Sequence, residues 1–453
     1  MEVTVIFDIG KTNKKCILFD RELNEIHQEY VKFDEIEDED DFPCDDLNAI
    51  SDWIKETLSK IQESEEYKVK KVNFSTYGAS LVHLDHSGKP VAPLYNYLKP
   101  FPDDLSKEFQ EHYGSWEDMS LQTASPSMGM LNSGLQLYWL KRTKPETFNL
   151  IDKILHFPQY LSYLFTGQFV TDFTSMGCHT MLWNYQRNNY HDWVVKEGLT
   201  ERFGAVRQSN DLISKDGIDF GVGVHDSSSS LLPYFEISEE PFLLISTGTW
   251  SICLNPFNDE ALTKDDLEKD CLNFLGISGA QVRASRLFMG SQFSKQKTSL
   301  AEHFQVDRST YKSIQLQEDF EPRRKNPKDL IFNHDLMSPE RFGFSPTESQ
   351  DLSLFENYEE AYLQLMDEIT DIQIASMKLA LGKSGVSRIY VDGGFSSNEV
   401  YLQFLANKLS EFEIYKSSCP LGAALGAAIL VNQAEVTHEM ILKNHEVKRV
   451  YKN

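Results

Sequence analysis

The chain has 453 residues, 41% hydrophobic and 25% charged, with a formal net charge of -25. That length exceeds what one ordinary hydrophobic core organises, so two large domains are expected. The acidity argues against nucleic acid as the main partner, because phosphate backbones are bound by clustered cations, and no apolar run reaches the roughly 18–20 residues of a membrane span.

The N-terminus opens directly on a strand-like run, Val3–Phe7, without the layout of a secretory leader, so a cytoplasmic location is expected. Val3–Ile9, a polar turn at Gly10–Asn13 and Cys16–Phe19 together read as a β-hairpin. In Asp8-Ile9-Gly10-Lys11-Thr12-Asn13 a carboxylate stands at a strand end, where it can hold Mg²⁺ directly or through water. Gly10 and the amides after it can cradle phosphate oxygens, with Lys11, Lys14 and Lys15 supplying charge. The competing reading is an ordinary hairpin turn with solvent-facing lysines. Asp34–Asp46 is dense in acid and reads as a solvated loop.

A helix is predicted near Leu47–Ile61, then strands at Val69–Ser75 and Ser80–Leu84 around Tyr77-Gly78. Further helical patterns lie at Gly134–Lys144 and Pro158–Phe165. Gly221-Val222-Gly223-Val224-His225-Asp226 leads into a serine run. An aspartate at such a junction is ordinarily an N-cap. The functional alternative is a general base that takes a proton from an attacking hydroxyl. His225 reads as a packed neighbour.

The pattern resets around Leu231–Leu244, where prolines precede a new strand at Phe242–Ile245. That strand runs into Ser246-Thr247-Gly248-Thr249-Trp250-Ser251, much as the first strand runs into Gly10, so a second domain of like architecture opens here. Glu321–Pro346 reads as an irregular excursion, and Tyr358, Tyr362, Leu365, Ile369 and Ile372 form the core stripe of a long helix. Arg388–Val391 enters Asp392-Gly393-Gly394-Phe395-Ser396-Ser397-Asn398, and a helix with Leu402, Leu405, Ala406 and Leu409 on one face follows. Gly422–Ala428 predicts a smooth helix suited to close contact. Three small-residue turns after apolar strands point to a nucleotide held between two domains. Neither a Walker Gly-Lys-Ser/Thr nor a dinucleotide Gly-x-Gly-x-x-Gly stands where it should. The six cysteines, Cys419 among them, show no Cys-x-x-Cys spacing and read as free thiols.

With these residues in order, the chain resembles the FGGY carbohydrate kinases of the sugar-kinase/actin-like ATPase superfamily. Asp8-x-Gly10-x-Thr12 is similar to the first phosphate motif, and Gly223-x-His225-Asp226 to the catalytic-base segment. Ser246–Ser251 is similar to the second phosphate motif, and Asp392–Asn398 to the adenosine motif. The run from Leu137 through Trp183 resembles the sugar-domain signature. Within the family the chain looks closest to the rhamnulokinase and fuculokinase branch. It departs from that branch on the sugar side: Ser80 stands for an aspartate, Tyr95-Asn96-Tyr97 for Tyr-Arg-Asp, and Gln159 for an aspartate. Lys11 replaces a small residue.

The resemblance implies an α/β fold of two ribonuclease-H-like (actin-like ATPase) domains, about 1–240 and 241–453, with the active site in an interdomain cleft. It implies ATP and Mg²⁺ as cofactors, Asp226 as catalytic base and Asp8 as the metal-positioning carboxylate. Gly10, Lys11, Thr12, Asn13, Thr247, Gly248 and Thr249 would meet phosphates, and Gly393, Gly394 and Asn398 adenosine. Tyr77, Gly78, Ser80, Asn96, Gln159 and Asp226 are the expected sugar contacts. The expected reaction is phosphorylation of a small sugar, a ketose such as L-rhamnulose or L-fuculose. A polyol kinase and a catalytically silent nucleotide- or sugar-binding sensor are the alternatives. No nucleic-acid or membrane partner is expected, and a homodimer is left open.

Overall fold

The computed structural model describes residues 1–417 and 421–452, and Cys419 lies outside them. The chain gathers into two compact units. The first comprises Met1–Ile237, Asn273–Gln281 and Leu421–Asn444, and the second Ser238–Leu272, Val282–Pro420 and His445–Asn453.

The first unit is built on a sheet of β1 (Glu2–Ile9), β2 (Lys14–Phe19), β3 (Glu25–Val31), β4 (Lys68–Thr76), β5 (Leu212–Lys215), β6 (Ile218–Gly221) and β7 (Val224–His225). Its order is β5-β6-β4-β1-β2-β3, with β7 also pairing to β4. β1 is buried on both faces, as a central strand between two layers is, although Thr4 and Asp8 make one of them partly polar. One face is covered by helix Leu47–Glu63, which Asp46 caps by accepting from the Asn48 and Ala49 amides. The buried residues Leu47, Ile50, Ile54 and Leu58 recur at helical spacing and join Val3, Val5, Phe7 and Ile9 in one core.

Against the other face lies helix Gly422–Asn432, from far down the chain. Asn73 Nδ2 donates to the Ala427 carbonyl at 2.9 Å, and Asn432 Nδ2 to Thr4 Oγ1 at 3.1 Å. The smooth face expected of this helix is used: a Cβ on Gly426 would stand 1.9 Å from the Ser229 carbonyl oxygen. Residues 421–444, placed by chain order in the second domain, therefore group with the first unit.

The second sheet comprises β8 (Phe242–Thr247), β9 (Ser251–Asn255), β10 (Cys271–Leu275), β11 (Gln281–Leu287), β12 (Arg388–Gly393), β13 (Glu413–Ser417) and β14 (Val447–Val450). The order is β10-β11-β9-β8-β12-β13-β14. β8 pairs antiparallel with β9 and parallel with β12, as β1 does with β2 and β4. The echo expected from the sequence is thus an echo of strand pairing. Helix Tyr358–Leu381 buries the predicted stripe, and 310 turns interrupt the 321–346 excursion.

The acidic segment is solvated in part, as expected, with Asp34, Glu35, Glu37, Glu39, Asp40 and Asp41 exposed, but it is also tied down by distant partners. Lys99 pairs with Asp38 and Asp40, Lys144 with Glu39 and Asp40, and Tyr95 donates to Glu39. Asp38 and Asp45 are buried. Lysines further along the chain neutralise the segment, which sequence distance concealed. Among the described residues Cys16, Cys44, Cys178, Cys253 and Cys271 are buried and form no disulfide. Among the described residues no helix is long and apolar enough to cross a membrane.

Candidate active site

Strand register decides which side chains meet at one end of the first sheet. Asp8 stands opposite Lys15 on β2 and Ser75 on β4, and Val224 of β7 stands opposite Ser75 from the other side. Asp8 and Asp226 consequently end one strand apart, close enough for the Asp226 charge to act on Asp8. Burial pushes the Asp8 carboxyl up; Lys15, at 3.5 Å, offsets part of this and Asp226 adds to it.

Asp226 is the first residue of helix Asp226–Ser229, and His225 takes the N-cap position. Asp226 Oδ1 accepts from the Ser227 amide at 2.6 Å and the Ser227 hydroxyl at 3.2 Å. Burial pushes its carboxyl up to about 6 against those hydrogen bonds, while 32% of the side chain stays open to solvent. A carboxyl so tuned is ionised at neutral pH and is a stronger proton acceptor than an ordinary aspartate.

His225 Nε2 lies 3.3 Å from Asp226 Oδ1 and 3.1 Å from Cys178 Sγ, and its Nδ1 lies 3.3 Å from Ser228 Oγ. Burial pushes the imidazole down to about 4, so the ring is neutral and its contact with Asp226 is no ion pair. Gly78 abuts this cluster: a Cβ there would stand 2.6 Å from Cys178 Sγ.

The first phosphate turn is closed by Gly10 N–H donating to the Asn13 carbonyl at 2.9 Å, and Thr12 and Asn13 are exposed. Lys11 is held by Asp45 at 2.6 Å and Glu35 at 3.0 Å, and buried Lys14 by Asp45 at 2.9 Å. The Lys11 charge is therefore balanced by the acidic segment, which the sequence did not reveal.

The expected sugar contacts sit near this end of the sheet, but many of their polar atoms are already used. Tyr77 donates to Asp45 at 2.7 Å, and buried Ser80 lies beside the Tyr77 hydroxyl. Asn96 donates to the Pro43 carbonyl at 2.9 Å and accepts from the Leu98 amide at 3.0 Å. Gln159 Nε2 donates to Asp172 at 3.1 Å and the Gly223 carbonyl at 3.0 Å, which leaves buried Oε1 without a protein partner.

As for Mg²⁺, no group of three or more His, Cys, Asp or Glu among the described residues forms a protein cage. Two neighbouring carboxylates in mutual repulsion still fit a cation that keeps much of its water and takes other ligands from phosphate.

In the second unit the other two turns meet. Thr247 Oγ1 donates to the Asp392 carbonyl and accepts from the Phe395 amide at 2.9 Å. Gly393, at φ 79°, passes so close that a Cβ would stand 1.9 Å from the Thr247 carbonyl oxygen. Gly248, Thr249, Gly393 and Gly394 are exposed. Beside them opens a cavity of about 860 Å³, lined by Gly248, Gly290, Phe293, Tyr311, Gly394 and Asn398 among others. Asn398 caps the following helix and donates to the Tyr362 hydroxyl at 2.9 Å. Size, aromatic wall and exposed backbone suit a nucleotide.

Residues 3–215 match the FGGY family of carbohydrate kinases, N-terminal domain. That match spans just under half of the chain and makes its N-terminal part similar to the FGGY carbohydrate kinases. A rhamnulokinase of Oceanobacillus iheyensis is 24% identical over 418 residues, 85% of this chain and 83% of that protein. A rhamnulokinase of Halalkalibacterium halodurans is 26% identical over 258 residues, 54% of this chain, and the match spans about half, 52%, of its length. The structure of a ligand-bound xylulose kinase from Lactobacillus acidophilus superposes with a TM-score of 0.80 at 16% identity, covering 100% of this chain and 94% of that one. That likeness shows the fold, two-domain and α/β as expected.

The FGGY motifs led to the turns but not to everything around them. Phe293 and Tyr311 come from segments with no motif of their own, whereas Asp45, Tyr97 and Cys178 lie inside noted runs without any residue type that singled them out.

Proposed function

We propose that the protein transfers the γ-phosphate of ATP to a hydroxyl of a small sugar, a ketose such as L-rhamnulose or L-fuculose. The observation that carries the reading is Asp226, a partly exposed carboxyl raised to about 6 and set one strand from Asp8. In this reading Asp226 Oδ2, the oxygen that Ser227 leaves unengaged, accepts the proton of the attacking hydroxyl. Asp8 would hold Mg²⁺, which when bound would neutralise charge on the transferring phosphoryl group.

The Lys11–Asn13 backbone and the Thr247–Thr249 turn supply donors to phosphate oxygens, and Gly393, Gly394 and Asn398 face adenosine. Asp226 at its tuned value is mostly ionised at pH 7, so the base is ready without further activation. The test is ADP release with Mg-ATP across ketoses, aldoses and polyols. Turnover on a ketose supports the reading, preference for glycerol or erythritol replaces its substrate, and ATP binding without turnover on any acceptor favours a silent sensor.

A further inference from the structure

We propose that Tyr97 contacts the acceptor through its hydroxyl, beside the hydroxyl that Asp226 deprotonates, and that this acceptor is an uncharged polyhydroxylated sugar or polyol. The inference rests on the kinase reading above and adds a residue and a substrate charge to it.

Tyr97 lies on a segment pinned on both sides. Tyr95 is bonded to Glu39, Asn96 to the Pro43 carbonyl, and Lys99 to Asp38 and Asp40. Its ring meets Tyr77 edge-on, with centroids 6.3 Å apart and planes at 64°. The two phenols differ in what their oxygens do. The Tyr77 hydroxyl is committed to Asp45, whereas the half-buried Tyr97 hydroxyl has no hydrogen-bond partner among the described residues. Burial raises the Tyr97 phenol, and the charges of Lys11, Asp226, Asp45 and Glu35 also act on it, so the hydroxyl lies within electrostatic reach of the first phosphate turn and the proposed base. A rigidly held donor and acceptor with nothing to bond, next to a carboxylate poised to take a proton, suits a hydroxyl neighbouring the reactive one.

The same surroundings fix the charge of the ligand. Lys11 and Lys14 are balanced by Asp45 and Glu35, and Lys15 faces Asp8. Each of these three lysines already faces a carboxylate, while ionised Asp226 would repel an acidic acceptor. A neutral ligand leaves no charge unpaired.

The test compares wild type, Tyr97→Phe and Asp226→Asn. Calorimetric binding is measured for L-rhamnulose, L-fuculose, D-xylulose, glycerol and D-gluconate, with steady-state kinetics on whichever is phosphorylated. The expected result is binding of a neutral member over gluconate. Tyr97→Phe should then raise Kd and KM for that acceptor about 3- to 10-fold, with kcat, KM for ATP and the melting temperature little changed. Unchanged acceptor affinity in Tyr97→Phe overturns the role of Tyr97. Preference for gluconate, or binding of none of the neutral compounds, overturns the acceptor class. Full turnover by Asp226→Asn would instead remove the base, and with it the kinase reading on which the inference stands.

Discussion

Replacing Asp226 by Asn should separate catalysis from stability in opposite directions. The amide oxygen can still accept from the Ser227 amide and hydroxyl, so local geometry is kept while the base is lost. Removing a positioned general base costs about 10²–10⁴ in kcat. The folded carboxyl titrates near 6 instead of its usual 3.8, which marks an ionised form that folding disfavours. A shift of that size corresponds to ~3 kcal/mol at most, and solvent at the partly exposed side chain reduces this to ~1–2 kcal/mol. The sign follows from proton binding: between the unfolded value and about 6 the folded state holds more protons than the unfolded state. Stability from this group therefore falls as pH rises through that window, and the loss is complete above it. The Asn variant should lack this loss, so its melting temperature should rise relative to wild type from pH 4 to 6 and stay higher at pH 7.5. Wild-type kcat/KM should fall on acidification through about 6. The assays are ADP release and thermal melts over that pH range. Equal activity of the two proteins would refute the base, and a variant less stable at pH 7.5 would refute the argument from disfavoured charge.

Gly393→Ala puts a methyl group against the Thr247 carbonyl at a φ of 79°; we expect ~1–3 kcal/mol of destabilisation and weakened ATP binding, read by denaturant melts and nucleotide titration. Asp45→Asn leaves buried Lys14 without its carboxylate and should cost ~3–5 kcal/mol in urea unfolding. Burial alone would raise the Asp45 carboxyl, but hydrogen bonds from Lys11, Tyr77 and Lys14 hold it below the usual range. The contribution of Asp45 is thus present above the unfolded value and lost only on strong acidification, opposite to Asp226. Gly426→Ala must displace helix Gly422–Asn432 from the Ser229 carbonyl; because Ser229 ends the helix that Asp226 begins, kcat should fall more than KM for ATP changes. Unaltered kcat in a folded Gly426→Ala protein would break that link.

Strand and helix identity were legible where burial imposes a period. The helix at 47–63 and the stripe from Tyr358 are read from apolar residues at helical spacing, and β1 from an apolar run that is buried on both faces. The glycines of the three turns were legible for a related reason. Close backbone approach excludes a side chain, and Gly393 against Thr247 bears this out. Charge was the poorest guide: the same residues that read as a solvated acidic loop are neutralised by Lys11, Lys14, Lys99 and Lys144.

The sequence by itself determined the elements, the order of the motifs and the aspartates that could act, because those depend on local period and residue type. Tertiary structure alone decided that helix 422–432 joins the first unit and that Asp45 claims both Lys11 and the Tyr77 hydroxyl. It also decided that the Tyr97 hydroxyl is left without a hydrogen-bond partner among the described residues. These are outcomes of long-range competition for partners, and a hydrogen bond or a close contact is awarded by distance in space, which no local pattern encodes.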